Sequence, residues 1–359
     1  MRSPAGHRTV PLALCVLGCC GITLAPLLRG YVADRLVVAP VNQYSKATLV
    51  GENARYLDIA KLTMVEGARV IGTATVRGAP DSSNAETAVW DSFTVVEDAA
   101  TGADLDARLW RVAFDRRTSE LRNCCGAAIG NDPTVRQAGL GMMWPIGNVE
   151  RRAYPLYDPT TRRPWPALFK GTDEVEGLTA YKYVQHIEPT PVGEYKQLPG
   201  KLLGMDEKKS YDADRTYEAW VTVWVDPRTG APVDRRQQVT SKLRTKDGVD
   251  RITVAQMDLR MSDESRRRAV RTADEGAGRI RLVRTTGPLG AFILGGALLG
   301  TGVALSTRTR RPGSRRKPTS PSGQAPPPPP LGPTLEPAPP SGPATLSEPG
   351  PVIEPMPDA

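Results

Sequence analysis

Two apolar runs without a charged residue, 10–28 and 285–307, bracket a stretch patterned mainly in twos. Each run is about long enough to cross a bilayer as a helix. Between residues 31 and 121, β-rich segments at 36–39, 55–65, 70–76, 87–96 and 107–114 are punctuated by Gly51, Gly67, Gly78-Ala-Pro80 and Thr101-Gly102. This spacing predicts an antiparallel, mostly β (α+β) domain rather than alternating β/α units. The clearest element is a hairpin. In residues 217–225, Trp220, Thr222 and Trp224 alternate with Val221, Val223 and Val225, the period of two that a strand requires. Asp226, Pro227 and Gly230 then supply a side-chain acceptor, a preset φ and access to the left-handed region, so a reversal follows. The second arm, 233–243, is polar at most positions and reads as a strand with one face in water.

Residues 144–183 are dense in aromatics and prolines, which excludes a helix and predicts an extended, packed loop. Residues 179–188 are again strand-like, and 193–209 read as a polar connection. After Met261 the period changes. Ser262 is an N-cap candidate, Asp263 and Glu264 fall in the first turn, and Ala269, Ala273, Ala277 and Ile280 recur at helical spacing. This helix is strongly basic. Arg266, Arg267, Arg268 and Arg271 form a candidate site for anionic lipid head groups, the alternative being a solvated face.

Charge places the ends. The net charge is +8, and its basic residues gather near the second apolar run. That points to a membrane partner with anionic lipid rather than to nucleic acid. Arg308, Arg310, Arg311, Arg315, Arg316 and Lys317 mark the cytoplasmic side. The reading is therefore a cytoplasmic segment 1–9, a transmembrane helix 10–28, an extracytoplasmic β-rich domain 29–284 ending in the basic helix, and a transmembrane helix 285–307. A disordered cytoplasmic tail follows over 308–359, basic and then Pro-rich. It carries about half of the 34 prolines and offers a polyproline surface for a cytoplasmic partner. The first run reads as an uncleaved anchor. A cleaved signal and a lipoprotein box at Val16-Leu-Gly-Cys19 are the alternatives, although no small-x-small site follows and residues 21–28 stay apolar.

Candidate chemistry is sparse. Three of the five cysteines lie in the first apolar run, leaving Cys124 and Cys125, which either form a vicinal disulfide or stand as two thiols at a turn. With only His7 and His186, a His-rich metal site is excluded. No nucleophile elbow, phosphate loop, dinucleotide fingerprint or zinc motif occurs, so no enzyme, catalytic residue, metal or cofactor is predicted.

Gly139-Leu-Gly-Met-Met-Trp-Pro145, Tyr154-Pro-Leu-Tyr-Asp158, Gly171, Gly177-Leu-Thr-Ala-Tyr181 and Trp224-Val-Asp-Pro-Arg-Thr-Gly230 resemble the actinobacterial two-helix membrane proteins of unknown function labelled the porin PorA family. A more distant likeness is to class B scavenger receptors. Asp226-Pro-Arg-Thr-Gly230 followed by Arg235-Arg-Gln-Gln-Val239 is similar to their turn and basic strand. That likeness implies a β ectodomain between two helices and, by analogy, a lipid-carrying tunnel. Two functions are therefore expected in competition. A lipid-binding or lipid-transferring domain requires a continuous apolar cavity, whereas a structural or adaptor protein requires a filled core.

Overall fold

The computed structural model describes residues 6–59 and 61–308. The tail expected to be disordered lies almost wholly outside them. Helix α1 (Gly6–Leu27) passes through a π-helical turn, Leu28–Val32, into the short α2 (Ala33–Leu36). Twelve strands follow. They are β1 (Tyr44–Asp58), β2 (Thr63–Gly78), β3 (Thr87–Asp98), β4 (Asp104–Asp115), β5 (Leu121–Arg122), β6 (Ala128–Ile129), β7 (Tyr154–Asp158), β8 (Arg163–Val175), β9 (Leu178–Pro199), β10 (Ser210–Val225), β11 (Pro232–Thr245) and β12 (Asp250–Met261). Helix α3 (Asp263–Arg281) then runs through a second π-helical turn, Leu282–Thr286, into α4 (Gly287–Arg308).

The strands form one antiparallel sheet in the order β5-β4-β3-β2-β1-β12-β11-β10-β9-β8-β7, with β6 on β4. The sheet curls into a half-barrel, as the expected mostly β class requires. Its edges are bridged at one level by Leu140. Leu121 donates to the Gly139 carbonyl at 2.8 Å, Leu140 to Pro155 at 2.7 Å, and Tyr157 back to Leu140 at 2.8 Å. The Gly139–Pro145 motif is therefore the seam of the barrel. One core cluster, with Trp144, Tyr154, Tyr183 and Ile187, packs on the β7–β10 side. Another, with Trp90, Trp110, Phe114 and Tyr157, packs on the β3–β4 side.

The membrane-type helices pack antiparallel, Gly18 against Gly295 and Cys15 against Gly302. A Cβ on Gly295 would lie 2.8 Å from the Gly18 carbonyl oxygen, so the small residues are what permit the approach. Helix α3 starts as expected. Ser262 Oγ accepts from Ser265 N at 3.3 Å, while Ser265 Oγ accepts from Thr48 N at 2.9 Å and ties the cap to β1.

Several expectations are corrected. Residues 36–39 are no strand. Leu36 ends a helix, and Ala39 is pinned to the β4–β5 turn by Arg116, whose Nε donates to its carbonyl at 2.7 Å. Residues 55–65 are two strand ends around a turn in which the Asp58 carboxylate accepts from Lys61 N at 3.1 Å. The proline-rich 144–183 region is largely strand rather than loop. Pro155 pairs with Pro166, and β7 is an edge where a missing N–H is tolerated. Residues 193–199, expected as connection, extend β9.

Candidate functional site

A cavity of about 1060 Å³ lies inside the curved sheet, at the upper end of what small-molecule sites occupy. It is lined near the membrane-type helices by Val38, Arg279 and Ile280, and at the opposite end by Ile59, Leu62 and Leu198. Both Tyr44 and Asp58, the two ends of β1, line it. The 15 residues of that strand correspond to roughly 50 Å of extended chain. The walls are mostly apolar because alternate residues of each strand face inward. On β10 and β11 the inward set pairs Val223 with Arg235, Val221 with Gln237, Ala219 with Val239 and Tyr217 with Ser241.

That register places a polar group in the lumen. Arg235 lines the barrel interior, and its side chain is exposed there. Burial pulls its guanidinium below its ordinary value, Tyr217 and Asp158 oppose the shift, and Arg108 adds to it. Its side chain donates to Gln237 Oε1 at 3.1 Å, and Gln237 Nε2 donates to the Tyr217 hydroxyl at 3.1 Å. Burial pushes Tyr217 up to about 12. Arg108 is paired with Asp106 at 2.8 Å. Asp158, buried, spends one oxygen on Thr161 N and Oγ1 at 2.7 and 2.9 Å. Arg215, farther along the wall, donates to Ser241 Oγ at 3.0 Å.

The four expected head-group arginines all lie on α3. Arg266 is engaged by Glu176 at 2.9 Å and Asp263 at 2.7 Å. Arg268 pairs with Glu264 and is the one of the four that lines the cavity. Arg267 and Arg271 are exposed. Cys124 and Cys125 are joined as a vicinal disulfide on an exposed loop outside the cavity lining. His186 lies on the outer face, stacked on Trp220 with ring centroids 3.9 Å apart.

The Asp226 turn is structural. Its fully buried carboxylate accepts from Arg228 Nε at 2.8 Å and Thr229 Oγ1 at 2.9 Å. Gly230 has φ of 75° and accepts from Trp144 N at 2.9 Å. The hairpin tip thus clasps the seam segment.

Sequence reasoning missed Arg235 and Gln237 because a polar arm reads as a strand with one wet face, and Tyr217 because alternation alone does not say what its hydroxyl meets. Arg236, Gln238 and Thr240 do face outward, but Arg235 and Gln237 face the lumen. The available signal was two adjacent polar residues, one of which had to share the face of Val239. A family model described as Porin PorA matches residues 10–304. No curated protein matches the chain.

Proposed function

The chain belongs to the Porin PorA family, matched over residues 10–304, and from that premise we propose an envelope membrane protein whose barrel binds or transfers a lipid-like ligand. The observation that carries this reading is the apolar cavity, lined at both ends of β1. Transferring an acyl chain into such a lumen gains roughly 0.8 kcal/mol per methylene removed from water. The scaffold alternative called for a filled core, and the cavity counts against it.

The orientation supported best puts the barrel outside the cell and both chain ends in the cytoplasm. The two helices run antiparallel, and basic residues follow α4. A cysteine placed at Ser83 should be labelled in intact cells and one at Pro340 should not; the reverse pattern would overturn the topology.

The functional reading is tested by extracting the full-length protein and weighing the lipid that accompanies it. About one apolar molecule per chain is expected, falling severalfold in Ala74→Phe, which narrows the lumen where Ala74 lines it. Thermal unfolding shows that the variant is folded. A wild-type protein free of lipid, or an equally loaded folded variant, would contradict the carrier reading.

A further inference from the structure

We propose that the lumen seats the carboxylate of a single-chain amphiphile at Arg235 and the Tyr217 hydroxyl, inside the barrel. This rests on the carrier reading above and specifies its ligand. The argument is one of donors and acceptors. A guanidinium has no acceptor, so Gln237 must turn its oxygen to Arg235 and present its NH₂ to Tyr217, 3.1 Å away. The Tyr217 oxygen therefore accepts, and its own proton is left to donate elsewhere. Among the described residues no partner takes that proton, and none pairs with the Arg235 guanidinium as an ion pair. The neighbouring arginine on the outer face, Arg236, is by contrast held by Asp258 at 2.7 Å.

A lumenal cation with unspent N–H donors, beside an unspent O–H donor, is complementary to an anion. The surroundings limit its charge. Arg235 supplies the positive charge, Arg108 is already neutralised by Asp106, and the negative field of Asp158, which reaches Arg235, opposes an anion in proportion to its charge. A carboxylate monoanion is therefore favoured over a phosphate dianion. Arg215 is no part of this group. It sits opposite Leu243, eight positions along β11 from Arg235, which is roughly 26 Å of strand. The rest of the wall is mostly apolar, so the chain attached to the carboxylate stays in the lumen. The α3 arginines, two of them already paired, are not needed to hold the head group.

The test uses the full chain in nanodiscs of neutral lipid. Bound parinaric acid is read by energy transfer from the cavity-lining Trp90, Trp110 and Trp144. The competitors are palmitate, hexadecanol and acetate. Palmitate should displace the probe at least tenfold more effectively than hexadecanol. Arg235→Gln should weaken palmitate about tenfold or more and leave hexadecanol unchanged, with Arg235→Lys restoring part of the loss. Tyr217→Phe should cost palmitate severalfold.

Equal palmitate affinity in a folded Arg235→Gln protein would overturn the proposal while leaving the carrier reading standing. Loss of hexadecanol to the same degree would also overturn it, since the arginine would then act on the fold. Displacement by submillimolar acetate would show a small-anion site instead of an amphiphile site. Failure of the wild type to bind parinaric acid at all would remove the carrier reading and this proposal together.

Discussion

At the scale of single residues, the β10–β11 turn shows how backbone conformation fixes a contact. Gly230 holds φ at 75°, and a Cβ there would meet the backbone oxygens of Trp144 and Pro145, the latter at 2.8 Å. Gly230→Val should cost about 1–3 kcal/mol through backbone strain alone, with the seam contact displaced in addition. Unchanged thermal unfolding would contradict this. The buried tyrosines set an alkaline limit. Burial raises Tyr157 and Tyr217 from 10.0 to about 12, because the charged form is poorly solvated there. A raised folded-state value means full stability below pH 10 and progressive loss as pH climbs towards 12. The loss is on the order of 2 kcal/mol per tyrosine. Melting temperatures scanned from pH 9 to 12 should fall, and fall less in Tyr157→Phe. A flat profile would mean that these hydroxyls reach water.

At the scale of elements, the hairpin, the α3 cap and both apolar helices were legible, each for a local reason. Alternation marks β10, Ser262 marks the start of α3, and the lack of charge marks α1 and α4. What was not legible depended on closure. Nothing local distinguishes Leu140 from any loop leucine, yet it joins the edges of the sheet. Pro155 argued for a loop until its edge position on β7 made the missing N–H harmless. Arg235 does not stand out among the polar positions of 233–243, because a strand in a curved sheet has a second polar environment, the lumen. Leu140→Pro tests the seam directly. It removes the donor to the Pro155 carbonyl, at about 1–3 kcal/mol for an orphaned acceptor. Amide exchange at Leu121 and Tyr157 should accelerate while the β1–β12 ladder keeps its protection. Unaltered exchange at both sites would show that the bridge contributes nothing.

At the scale of the whole molecule, antiparallel helices held together by glycines carry a sheet curved around a long apolar lumen, with α3 lining the near end. The two ends of the cavity differ. Arg268 and Arg279 line the end towards the helices, whereas Ile59, Leu62 and Leu198 line the other. An amphiphile entering from a membrane would pass the basic end first and bury its chain beyond. The most direct measurement is photo-crosslinking of a diazirine-labelled palmitate to the full-length protein, with adducts mapped by mass spectrometry. Adducts on inward-facing residues such as Leu57, Leu105 and Val239, blocked by excess palmitate, are the predicted result. Adducts confined to α1, α4 or outward residues such as Leu168 and Trp220 would contradict a lumenal ligand.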